Sequence, residues 1–119
     1  MIHSYKDLIV WQKSMELVVC IYEITDKFPE EETYGLAFQM RRSSISIPSN
    51  IAEGRLKGTK KDFLQFLRVA YSSGAELETQ TEVSKRVLMV EKSHYYKSEL
   101  LLLEVMKMIN SMIGKLNIK

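Results

Sequence analysis

The sequence predicts an all-α fold, an antiparallel up-down-up-down bundle of four helices. Three observations predict it. Apolar residues recur at steps of three and four in four segments, the spacing that gathers side chains on one helix face. Glycine and proline are scarce, at five and two copies in 119 residues, while methionine, at seven, is abundant; with Leu, Glu and Lys it favours helix. The stretches between the periodic segments are short, and short connections join antiparallel neighbours. No segment alternates apolar and polar residues as a half-buried strand would, and there is no internal repeat or low-complexity linker.

The totals fit one domain spanning residues 1–119. Hydrophobic residues make up 45% and charged residues 27%, the balance of a globular chain able to bury a core without disulfide or metal. Cys20 is the only cysteine, so an intrachain disulfide is excluded. Between Val19 and Ile21 it reads as a small buried hydrophobe. The opening MIHSYKDLIV lacks the basic region, apolar core and cleavage site of a secretion signal. No apolar run approaches the roughly 20 residues of a membrane span. Both observations fit a cytoplasmic protein with no membrane partner.

The first helix is expected from Lys6 to Phe28. Leu8, Trp11, Met15, Val18 and Tyr22 form one apolar stripe, and Val10, Leu17, Ile21, Ile24 and Phe28 form a second beside it. Two stripes are more than one bundle contact requires, and a second subunit would bury the excess. Phe28-Pro29 ends the helix, because a residue before proline is pushed out of the helical region.

Thr33, or a residue beside it, is expected to cap a second helix running from Tyr34 to Leu56. Leu36, Met40, Ser43, Ile47 and Ile51 lie on its inner seam. Pro48 falls inside, where it removes a donor and presses on the Ser44 carbonyl at a cost of roughly 3 kcal/mol. A kink or break is expected there, with Ser44, Ser49 or water satisfying the freed groups. Two shorter helices meeting at Ile47-Pro48 are the alternative.

Gly54 and Gly58 bracket the end of that helix. Thr59 starts the third, with Asp62 placed as in a capping box. Phe63, Leu67, Ala70, Gly74, Leu77, Thr81, Ser84 and Leu88 make a heptad-like seam. Its middle, Ala70, Ser73 and Gly74, is small. So is the second helix around Ser43, Ser44 and Ala52, and the two are expected to pack as tight antiparallel neighbours. After a connection at Met89 to His94, with Ser93 as candidate cap, the fourth helix runs from Tyr95 to Leu116. Leu102, Val105, Ile109, Ile113 and Leu116 form its stripe, flanked by Leu101, Met108 and Met112.

Little of this carries chemistry. Glu91 and His94 match the Glu-x-x-His spacing of bundle iron sites once, with no second copy, and His3 is the only other histidine. No metal or cofactor is therefore expected. Two peripheral histidines fix no catalytic triad, and Gly54 and Gly58 lack the phosphate-loop pattern. Four polar residues on the second and third helices stand out as a candidate seam: Asn50, Glu53, Glu76 and Glu78. A carboxylate buried there needs a partner, best an arginine. The reading is a hydrogen-bonded lock on helix register, with a binding or catalytic role as the alternative, and loss of Glu53 or Glu76 is expected to lower the melting temperature by several degrees.

Charge is unevenly spread. Net charge is +2, yet residues 1–32 carry three cations against seven anions and residues 33–61 six cations against one anion. Arg41, Arg42, Arg55, Lys57, Lys60 and Lys61 are the candidate anion surface. The last four gather at the second connection, where the next helix N-terminus adds partial positive charge.

Several of these residues recur in a known pattern. Tyr5-Lys-Asp-Leu8 with Trp11, Tyr22, Phe28-Pro29, Tyr34-Gly-Leu with Gln39, Arg41 and Arg42, Phe63, Phe66-Leu67, Ala70, Ser73 and Glu76-Leu-Glu-Thr79 flank a specific run, Ser46-Ile-Pro-Ser-Asn-Ile-Ala-Glu-Gly54. Over nearly its whole length the chain resembles the four-helix-bundle proteins encoded in intervening sequences of bacterial 23S ribosomal RNA genes. The resemblance implies a ring-shaped homopentamer, no known enzymatic activity, and an RNA or ribosome association inferred from gene position. A related branch, the accessory proteins of diversity-generating retroelements, looks like a basic pentamer that binds nucleic acid and a reverse transcriptase. The expected function is a non-enzymatic, self-assembling, nucleic-acid-associated bundle. A scaffold that binds only protein is the alternative. The broad apolar faces of the first and fourth helices are expected to supply the subunit contacts.

Overall fold

The protein is described by a computed structural model covering residues 4–87 and 89–117. Leu88 and His3 lie outside the described residues. Among those described, four α-helices carry the fold: α1 (Ile9–Thr25), α2 (Leu36–Lys57), α3 (Lys60–Arg86) and α4 (Tyr96–Leu116). Short 3₁₀ turns precede α1, α2 and α4 at Tyr5–Asp7, Glu30–Glu32 and Lys92–Tyr95.

Contacts run from α1 to α2, α2 to α3 and α3 to α4, and close from α4 back onto α1. Partner numbers fall along one helix as they rise along the other. Ser43 meets Glu76, Ser46 meets Ser73, and a Cβ on Gly54 would meet Phe66. Lys85 meets Glu99, and a Cβ on Gly74 would meet Met106. Lys13 meets Glu104, while Cys20 and Lys97 line one cleft. Thr25 meets Arg41, while Trp11 and Ala52 share a groove. Each neighbouring pair is thus antiparallel, and the bundle extends 46 Å by about 22 Å.

The core confirms the stripes and separates them. Val10, Leu17, Ile21, Ile24 and Phe28 are buried, with Met40, Ile47, Ile51, Leu67, Leu77, Val105 and Ile109 against them. The other α1 stripe is the excess: Met15 and Tyr22 are each 40% exposed and Trp11 and Val18 half-buried. On α4 the exposed large hydrophobic residues are Tyr96, Leu100 and Leu103, which sit outside the expected stripe.

The structure decides between the readings at Pro48 and corrects two of the expected caps. α2 is one unbroken helix through Pro48, so the two-helix alternative falls. Pro48 is buried, and the Ser44 hydroxyl donates to the Arg41 carbonyl at 2.8 Å. The N-cap position of α2 is Gly35, and the side chain that reaches its first turn is that of Glu32, a residue beside Thr33 as the expectation allowed, rather than that of Thr33 itself. Thr33 donates instead to the Glu30 carbonyl at 2.7 Å, and Glu32 Oε1 accepts from the Leu36 N–H at 3.3 Å. Ser93 does not cap α4, whose first turn grows directly from the preceding 3₁₀ turn. Thr59 does cap α3: its Oγ1 accepts from the Asp62 N–H at 3.1 Å. Gly58 closes α2 with φ +86°, a left-handed conformation that glycine adopts without strain.

Candidate nucleic-acid interface

The polar seam between α2 and α3 is built from hydroxyls. Ser46 Oγ and Ser73 Oγ lie 2.8 Å apart. Ser43 Oγ lies 3.0 Å from the Gln39 carbonyl and 3.1 Å from Glu76 Oε1. Asn50 Nδ2 donates to Ser46 O at 2.8 Å and to Ser46 Oγ at 3.0 Å. Short side chains leave the two backbones close enough that a Cβ on Gly54 would sit 2.6 Å from Phe66 Cβ. Ser73 therefore faces α2 as expected. Gly74 does not; it faces Met106 of α4.

Of the four residues expected in this seam, Asn50 and Glu76 reach it. Glu53 and Glu78 are exposed, and Glu76 is exposed too despite its bond to Ser43. A helix carboxylate one position off the inner stripe costs nothing to leave in water, whereas burying it would require a charged partner. Serines were the signal to follow: Ser46 and Ser73 meet across the seam, while Ser43 has one proton to offer to either the Gln39 carbonyl or Glu76.

The six candidate cations divide between two places. Arg41 is half-buried and already engaged: its Nε donates to Thr25 Oγ1 at 2.8 Å, and its guanidinium carbon lies 4.5 Å from the Tyr22 ring centroid. Arg42, beside it, is exposed. Arg55, Lys57, Lys60 and Lys61 lie about 20 Å further along the axis, at a rise of about 1.5 Å per residue. All four are exposed, and among the described residues none is in an ion pair. Lys57 Nζ stands 5.9 Å from the Phe66 ring. Leu56, between Arg55 and Lys57, is 74% exposed. The N-terminus of α3 is taken by its own side chains, since Thr59 Oγ1 also donates to Asp62 Oδ2 at 3.0 Å. Asp62 thus sets a carboxylate at the helix end, beside the lysine and arginine heads of the loop.

Three groups away from the loop are shifted by their surroundings. Burial pushes the Cys20 thiol above its ordinary range, with nearby Lys97 opposing. The Tyr95 hydroxyl is buried without a hydrogen-bond partner of good geometry among the described residues, and burial raises its pKa. Its neighbour Ser84 donates instead to the Thr81 carbonyl at 2.7 Å. Lys85 is held protonated by its hydrogen bond to Glu99 at 3.0 Å. Among the described residues no group of three or more His, Cys, Asp or Glu side chains is placed to hold a metal, and no helix is long and apolar enough to cross a membrane.

Fold and surface together define an all-α bundle of four antiparallel helices with a serine-lined seam and a cationic loop at one end. The chain belongs to the 23S rRNA-intervening sequence protein family, whose model matches residues 6–111. It is also similar to the crystal structure of a protein of unknown function from the S23 ribosomal protein family of Bacteroides thetaiotaomicron. The two are 26% identical with a TM-score of 0.81, over 88% of this chain and 98% of the other. Comparison with curated proteins gives no match.

Proposed function

We propose that this chain is a non-enzymatic, self-assembling bundle that associates with RNA or another nucleic acid as an accessory protein in the cytoplasm. The observation that carries this reading is the loop at Arg55, Lys57, Lys60 and Lys61. Four cations are held at one tip with, among the described residues, no carboxylate pairing them. Solvated cations of this kind release counterions from a phosphate backbone on contact, the main source of nucleic-acid affinity without base reading. The family's tie to ribosomal RNA genes supports the same partner. Titration of a labelled, structured RNA at two salt concentrations tests it. Binding that weakens steeply with salt is expected, with a slope of roughly 0.7 to 0.9 per neutralised phosphate. Absence of binding at low salt would overturn it.

Self-assembly, with the pentameric ring of the family resemblance as the expected form, is supported by the outer stripe of α1 and by Leu100 and Leu103 of α4. The same apolar sides favour the second reading, a scaffold that binds protein alone.

A further inference from the structure

The fold turns a lopsided sequence into an end-to-end electrical polarity. The antiparallel register brings residues 4–15, 48–70 and 106–117 to one half of the 46 Å bundle, and residues 16–47 and 71–105 to the other. The first half holds nine cations and three anions, the second seven cations and twelve anions. One end is therefore +6 and the other −5, although the chain as a whole is nearly neutral. These ends are several screening lengths apart at physiological salt, where the Debye length is about 8 Å. Each end thus presents its own field to a large polyanion, and the low total charge does not cancel the basic one.

Resting on the nucleic-acid reading above, we propose that a phosphate backbone docks end-on at this basic pole, and that the acidic pole excludes it from the other end. The pole extends the loop cluster with Lys6, Arg68 and Lys115, all exposed and in no ion pair among the described residues. Lys6 belongs to the 3₁₀ turn that packs on α2. Lys115 lies in the last turn of α4, beside the N-terminal part of α3 that carries Arg68. Arg41 and Arg42 fall in the acidic half, and Arg41 is bound to Thr25; neither belongs to the docking face. The apolar sides stay free for other contacts, so nucleic acid and protein partners need not compete.

Three triple variants of the full chain test this against a labelled RNA hairpin: Lys57→Gln, Lys60→Gln and Lys61→Gln; Lys6→Gln, Arg68→Gln and Lys115→Gln; and, at the acidic pole, Lys27→Gln, Arg42→Gln and Lys92→Gln. Each basic-pole variant is expected to lose about tenfold or more in affinity at low salt and to flatten the dependence of log K on log salt by about two to three. The acidic-pole variant should stay within about twofold of the parent. The salt slope decides, because a folding defect would not flatten it in proportion to the charges removed. Equal losses from all three variants, or unchanged binding in both basic-pole variants, would overturn the end-on face while leaving RNA binding standing. A parent chain that binds no hairpin at low salt would overturn both.

Discussion

The hydroxyl oxygens of Ser46 on α2 and Ser73 on α3 lie 2.8 Å apart, with Asn50 donating to the same Ser46 oxygen at 3.0 Å. This is the closest polar link between the two most extensively packed helices. It exists because both residues are short enough to let the backbones approach. Replacing Ser73, which is buried, by Leu forces the helices apart at a cost of about 1–3 kcal/mol. Ser73→Ala loses only the hydrogen bond, worth about 0.5–1.5 kcal/mol. Thermal melting should therefore rank the parent above Ser73→Ala, and Ser73→Ala above Ser73→Leu.

Two glycines make a sharper comparison. A Cβ on Gly54 would meet Phe66 Cβ at 2.6 Å, an atom fixed to the α3 backbone. A Cβ on Gly74 would meet the Met106 thioether, which can swing away. Alanine also gains about 1 kcal/mol of helix propensity over glycine at either site. Gly54→Ala is expected to lower the melting temperature by several degrees, at about 4 °C per kcal/mol for a chain this size. Gly74→Ala should leave it nearly unchanged. A reversed order would contradict the packing described.

The carboxylates behave differently from the expectation raised by sequence. Glu53 is exposed with no bonded partner among the described residues, so Glu53→Ala should change stability by no more than about 0.5 kcal/mol. Glu76→Ala breaks one partly exposed bond to Ser43 and should cost about 0.5–1.5 kcal/mol. Urea midpoints of the two variants measure both.

Cys20 and Tyr95 set the alkaline limit. Burial raises both pKa values in the folded state, so both groups ionise more readily in the unfolded chain, near pH 8.5 and 10 respectively, roughly the free side-chain values. Their contribution to stability is complete below those values and falls as pH rises through them. Melting temperature should decline above about pH 9. Tyr95→Phe removes a buried hydroxyl that lacks a good partner. It should melt at or above the parent at neutral pH, with a shallower alkaline decline, and a large loss of stability would show that the hydroxyl is satisfied.

The four helices and their inner stripes were legible because period and burial coincide: Leu17, Ile21, Met40, Ile47, Leu67 and Ile109 are all buried where the spacing puts them. The excess stripe on α1 was visible as excess but not as the outer one. Only packing against α2 and α4 decides which of two adjacent stripes turns inward. Pro48 was legible as a proline inside one helix, and its burial against the core holds α2 together through it, which sets aside the alternative of two shorter helices. Glu53 and Glu78 misled because a one-position shift on a helix turns a side chain by about 100°, enough to move it from seam to solvent. The separation of Arg41 and Arg42 from Arg55, Lys57, Lys60 and Lys61 was legible too, because helix rise alone carries Arg41 and Arg55 about 20 Å apart.

Central to the proposed self-assembly is that the apolar sides of one bundle are covered by further copies. Multi-angle light scattering of the purified chain at micromolar concentration measures this directly. A mass at a multiple of the 13.8 kDa subunit, with five copies as the expected number, agrees with the account. A stable species of 13.8 kDa across that concentration range would contradict it.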